Sequence, residues 1–277
     1  MLKTWINPKW RIWIFLALIN LLWAVVAWFT ADRETWLWIA PIALSINCLL
    51  FTYDQVLRFT ELTGHPLIGS DAWGILKIVH ELSAELKVTP PEVFMIPRHS
   101  AQILCYAKTR RRTRLFITQG MVELLTPAQL RAAVTFQMCT IAHQYHILNY
   151  WCAALLDLKF RVGKGLERAF AFVFGWTPPL AETLISPGMW FVHLFLLGGR
   201  DFQRLDRETA RRLEHSEDLA QALWKMEAYT QTRPWSEPWI FAHMCMVSPL
   251  TRNRRRGLNV QPALKGRIKT LVGRYPL

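Results

Sequence analysis

Charge is scarce in this sequence, acidic charge above all: 19% of the residues are charged, with 33 Lys and Arg against 20 Asp and Glu. C-x-x-C pairs are missing as well. The five cysteines, Cys48, Cys105, Cys139, Cys152 and Cys245, are odd in number and scattered, which argues against a disulfide framework or a thiolate zinc site and for a reducing compartment. No A-x-A cleavage site follows the first apolar run, so that run does not read as a signal peptide. Internal repeats and low-complexity linkers are absent.

What is present points to a membrane. Hydrophobic residues make up 52% of the 277, with 14 Trp and 15 Phe. Trp10 to Thr30 (WRIWIFLALINLLWAVVAWFT) and Trp36 to Tyr53 (WLWIAPIALSINCLLFTY) approach the roughly 20 apolar residues needed to cross a hydrocarbon core. Together they predict an N-terminal transmembrane helical hairpin over residues 1–54. Lys3, Lys9 and Arg11 precede the first span, and the short link carries Asp32, Arg33 and Glu34. The basic residues therefore place the N-terminus and the bulk of the chain, residues 55–277, in the cytoplasm. The net charge of +13 gathers in KTRRRTR (residues 108–114) and TRNRRRG (residues 251–257). No nucleic-acid motif accompanies these runs, so Arg110, Arg111, Arg112 and Arg114 are read as topology signals and contacts for anionic lipid.

Beyond the hairpin, Asp71 to Val88 has apolar residues at helical spacing, with Asp71 as its expected N-cap. His80 and Glu81 sit there in HELSA, whose fifth position is Ala84 where a zinc motif needs His. Val93–Ile96, Ala101–Ala107 and Thr113–Thr118 read as strands, the last two as a hairpin, and a short helix, MVELL, follows Gly120. Thr126-Pro127-Ala128-Gln129 is a capping box with Pro in the first turn, opening a helix expected to reach Tyr150 or beyond. Ile147–Leu158, Ala169–Trp176 and Met189–Gly199 form a second apolar zone over about 147–199, broken by VGKG, TPP and SPG. It fits either a further pair of crossings or a half-inserted hairpin. Charged helices follow, then a loop-rich tail. The fold class expected is mainly α with a small β-sheet (α+β).

These residues resemble a family. ITQGMVELLTPAQLRAAVTFQMCTI aligns without a gap to the V-T-x-G-L-L-x-L-L-x-x-x-E-L-x-A-V-L-A-H-E-x-x-H-I pattern of the HtpX-type membrane zinc metallopeptidases, relatives of the CAAX prenyl proteases. Gln102 to Lys108 occupies the place of the family's N-A-F-A-x-G-R strand, and RDFQRLDRETA resembles the R-E-x-x-A-D-R-x-x-A segment that supplies the third zinc ligand. The resemblance implies a membrane-anchored metallopeptidase fold, yet the motif residues differ. Phe136 and Thr140 stand at the two histidine positions and Gln137 at the general base; the third ligand falls on Phe202, or on Asp201 if one residue is inserted. Phenyl offers no lone pair, Thr hydroxyl is a poor zinc ligand, and an amide cannot take up a proton near neutral pH.

The sequence therefore predicts a pseudopeptidase, not an enzyme, with no metal and no cofactor, and with Phe136 and Phe202 meeting in a filled pocket. It is expected in the bacterial inner membrane as a multi-pass scaffold or binding subunit of a membrane protein complex. The edge strand at Gln102, Ile103, Leu104 and Cys105 would pair with an extended partner. One alternative is an active zinc endopeptidase using His143, His146 and Asp201. Another is a lipid- or nucleic-acid-binding protein acting through Arg110–Arg114 and Arg252–Arg256.

Overall fold

A computed structural model describes residues 64–67, 71–107, 109, 112–176, 199–235, 239–249 and 261–273, with isolated positions before residue 26. The expected N-terminal hairpin, Arg110, Arg111, residues 177–198 and the Arg252–Arg256 run lie outside the described residues. The architecture is α+β, mostly helical with one small sheet. Among the described residues, no helix is long and apolar enough to cross a membrane.

Helix α1 (Ile75–Leu86) buries Ile75, Val79 and Leu82, a spacing that keeps one face inward. Its N-cap is Gly74, at φ 69°, not the expected Asp71; the Asp71 carboxylate instead accepts the Leu76 N–H at 2.5 Å. His80 and Glu81 lie on the exposed face, where Glu81 pairs with Arg131 at 2.9 Å.

The sheet contains β1 (His65–Pro66), β2 (Glu92–Ile96), β3 (Ile103–Tyr106) and β4 (Arg114–Thr118), in the order β1-β2-β4-β3. β2 runs parallel to β4, and β3 forms the expected antiparallel pair with β4, Cys105 opposite Leu115. Every residue of β3 and β4 is buried. Alternation separates the faces: Ile103, Cys105, Leu115 and Ile117 belong to the main core, while Phe94, Phe116 and Tyr106 stack in a ladder continued by Tyr150.

Helix α2 (Gln119–Leu124) leads into α3 (Pro127–Ala142). Gly120 is required here, because a Cβ would stand 1.8 Å from the His99 carbonyl oxygen. The capping box forms as read: Thr126 accepts the Gln129 N–H and the Gln129 side chain accepts the Thr126 N–H. α3 is buried on nearly all sides, packed by α1, by β3 and by α5 (Gly199–Ala210) and α6 (Ser216–Thr232). It does not continue to Tyr150. The chain breaks at His143 and Gln144, the latter left-handed at φ 62°, and α4 (Tyr145–Phe174) sets off anew. α4 also runs through VGKG, expected as a break; a Gly inside a helix costs only about 1 kcal/mol relative to Ala, which 30 residues of continuous helix absorb. A 3₁₀ helix (Trp239–Met244) and α7 (Leu264–Val272) complete the described chain, giving the tail more order than its loop-rich sequence suggests.

Candidate functional site

Helix α3 carries Phe136, Gln137 and Thr140 into the core, where they are 1–3% exposed. α5 brings Phe202, 1% exposed, and Asp206, fully buried. The rings of Phe136 and Phe202 meet as expected, nearly parallel, with centroids 6.2 Å apart. Of the two candidates for the third motif position, Phe202 is the one in contact with Phe136. Asp201 points elsewhere and accepts the Tyr145 hydroxyl at 3.0 Å.

A residue that sequence reasoning missed completes the cluster. The guanidinium of Arg267, from α7, lies 5.1 Å from the Phe136 centroid and 5.0 Å from that of Phe202, forming a triangle with the two rings. Arg267 is 2% exposed. Its Nε and Nη2 donate to the two Asp206 oxygens at 2.9 and 2.7 Å, and its Nη1 donates to the Met246 carbonyl at 2.7 Å. A paired fork of this kind is the strong form of a guanidinium–carboxylate bond. Nothing near position 267 in sequence signals burial, although the neighbouring Ile268 is itself fully buried.

Gln137 serves as a strut. Its Nε2 donates to the Ile103 carbonyl at 3.1 Å, and its Oε1 accepts from the Cys105 thiol at 3.1 Å. Burial pushes the Cys105 thiol up, keeping it protonated and able to donate. The Ile103 carbonyl also accepts the Met246 N–H at 3.3 Å. Thr140 turns its hydroxyl back to the Phe136 carbonyl at 3.0 Å.

The expected partner-binding strand must be corrected on this geometry. Gln102, Ile103, Leu104 and Cys105 are all 0–1% exposed, and the Ile103 carbonyl on the outer edge of β3 is taken by Gln137 and Met246. Gln102 itself bonds inward, through its N–H to Thr118 and its side chain to Thr230. In this conformation the edge has no room for an added strand.

The donor set does not fit a metal. Two phenyl rings and a hydroxyl committed to a backbone carbonyl offer nothing for zinc, and both Asp206 oxygens already accept from Arg267. His143, His146 and Asp201 do not converge either. His143 bonds Glu208 at 2.6 Å, His146 bonds Thr113 at 3.4 Å, and Asp201 meets Tyr145. No group of three or more His, Cys, Asp or Glu suited to a metal occurs among the described residues.

Around His143 the site is polar and half-buried. Glu208 bonds His143 and Arg212, and Arg212 also pairs with Glu85. Burial alone would raise the Glu208 carboxyl, but His143 and Arg212 outweigh it and hold it below the usual carboxylate range. Cys139, next to this network, is raised to about 11 by burial, partly offset by a hydrogen bond with Thr209. Of the basic residues assigned to lipid, Arg112 is exposed. Arg114 is buried instead, bonded to Glu92 and Tyr106 and over the Phe94 ring.

No family model matches the chain. Curated relatives do. A Protease HtpX homolog of Syntrophobacter fumaroxidans is 22% identical over 243 residues, covering 83% of this chain and 86% of the relative. One of Pelotomaculum thermopropionicum is 18% identical over 273 residues, covering 94% and 97%. The crystal structure of S. mikatae Ste24p superposes with a TM-score of 0.50 at 14% identity, covering 98% of this chain. The chain spans 66% of the length of that structure. Over most of its length the chain is thus similar to proteins named Protease HtpX homolog.

That likeness overturns one expectation. The sequence reading declared the chain not an enzyme, whereas the relatives that match most of its length are named proteases. The elements on which the resemblance rests are all present: the capped α3, β3 beside it and α5 across from it.

Proposed function

We propose that this HtpX-type protein works at the bacterial cytoplasmic membrane as a scaffold or binding subunit of a membrane protein complex, with its main domain on the cytoplasmic side. The observation that carries this reading is the far end of α4. There Phe172 is 92% exposed, and Val173, Phe174 and Trp176 are 59–66% exposed. Large apolar side chains clustered at one exposed helix end suit contact with protein or lipid better than with water. After the TPPLAETLISPG stretch (residues 177–188) the sequence carries a further apolar run, MWFVHLFLL (residues 189–197), so the apolar character of the sequence is not confined to the helix end. Exposed Arg161, Lys164 and Arg168 precede this end on the same helix, a basic flank compatible with anionic lipid headgroups. Ordinary zinc chemistry draws no support from the residues at the motif positions.

The test is extraction of the full chain in a mild detergent, followed by identification of co-purifying proteins and metal quantification on one sample. A stoichiometric membrane protein partner is expected, lost when Phe172 and Trp176 are replaced by Ser. Recovery of the chain alone, or recovery in the soluble fraction without detergent, would end the proposal.

A further inference from the structure

We propose that Arg267 is a built-in cation: its guanidinium takes the place that a metal ion would hold between α3 and α5, so that Arg267 and a metal are mutually exclusive occupants. Three observations converge on this. The guanidinium is nearly equidistant from the two side chains, Phe136 and Phe202, that stand at ligand positions on different helices. It neutralises Asp206, a fully buried carboxylate on α5, through two short hydrogen bonds. It is also delivered from outside that frame, by α7.

The chemistry of the pocket suits this cation and no bare ion. Aromatic faces attract a guanidinium through their quadrupoles, and a guanidinium is less strongly hydrated than an ammonium, so its burial is easier to offset. A divalent metal would demand lone pairs that neither ring has. Met246 extends the arrangement. Its carbonyl accepts from Arg267 while its N–H donates to Ile103, the carbonyl that Gln137 also holds. One hydrogen-bonded chain thus runs from Asp206 through Arg267, Met246 and Ile103 to Gln137. The same guanidinium that fills the centre anchors the segment covering the outer edge of β3.

The proposal does not depend on any partner protein and is tested by chemical rescue. Arg267→Ala, purified as the full chain in mild detergent, leaves a cavity lined by two rings and an unpaired carboxylate. Its Tm is expected to fall, and millimolar guanidinium ion, far below denaturing concentrations, to raise it by several degrees. Urea, similar in shape but uncharged, and sodium chloride at equal ionic strength are expected not to, and the wild-type chain to respond to none of them. An Arg267→Ala chain that melts with the wild type, or responds equally to urea and guanidinium, overturns the assignment. Should Arg267→Ala fail to fold, the paired change Arg267→Met with Asp206→Leu is expected to fold, since it removes both charges. Failure of that pair is equally fatal. Mutual exclusion is read separately from zinc uptake by a chain carrying Phe136→His, Gln137→Glu, Thr140→His and Phe202→Glu. One zinc is expected only when Arg267 is also replaced by Ala; equal uptake with and without Arg267, or none in either, overturns it.

Discussion

Replacing Phe136 by His, the residue the motif would place there, should make the protein weaker and leave it without zinc. The ring is 2% exposed, stacked on Phe202 and 5.1 Å from the Arg267 guanidinium. Loss of a desolvated cation–π contact costs about 2 kcal/mol, and loss of the aromatic pair about 0.5–1.5 kcal/mol. The imidazole brings two ring nitrogens into a pocket where the nearest polar groups are Arg267, which cannot accept a proton, and Asp206, already doubly bonded. An unsatisfied buried polar atom adds about 1–3 kcal/mol, and protonation would set a second cation against the first. The contributions overlap, so about 3–5 kcal/mol is expected in all, a fall in Tm of roughly 6–20 °C for a domain of this size. Thermal unfolding in detergent reads the first part, and metal quantification after equilibration with zinc reads the second. Phe136→Leu separates the causes: it keeps the burial and gives up only the ring contacts, so it should cost about 2–3 kcal/mol. A Phe136→His chain as stable as wild type, or one holding a zinc, would show that the pocket is not packed as described.

Three further perturbations test other parts of the frame. Gln137→Leu leaves the Ile103 carbonyl with one partner and the Cys105 thiol with only the long contact to the residue-137 backbone carbonyl at 4.0 Å; about 1–3 kcal/mol should be lost, with faster hydrogen exchange along β3, and unchanged exchange there would remove the strut role. Gly120→Ala puts a Cβ 1.8 Å from a backbone oxygen, so the 97–100 loop must move; overpacking of this kind costs about 1–3 kcal/mol or more, and a neutral result in chemical denaturation would be incompatible with the close approach. Glu208 is held below its ordinary range, so its contribution is complete above the unfolded carboxylate pKa and is lost as pH falls through the lower folded value. Glu208→Gln should therefore flatten the acid limb of the stability–pH curve, while an identical limb in both chains would show that the His143–Glu208 pair contributes nothing.

Much of the frame could be read from the sequence because its signals are local. Thr126 and Gln129 lie three residues apart and cap the same turn; the strands around the arginine turn pair with their nearest neighbour; the ungapped alignment put Phe202 opposite Phe136. What escaped was non-local or weakly encoded. Arg267 reaches Asp206 across 61 residues, and a lone arginine in a tail of high positive charge looks like every other surface arginine. The break at Gln144 has no glycine or proline to announce it, only a polar residue tolerating a left-handed backbone. Strand β3 has the pattern of an edge open to a partner, and it is an edge; the segment that covers it begins more than a hundred residues later. The likeness to proteins named as proteases tells against a non-enzyme reading that rests on motif chemistry alone.

The pairing of Arg267 with two phenyl rings has a consequence for how such a chain can change over generations. A polar side chain put in place of either ring meets a pocket already shaped around a fixed positive group, so the rings and Arg267 are expected to tolerate exchange together better than one at a time. Helix α7 thereby ties two core positions to a residue in the tail.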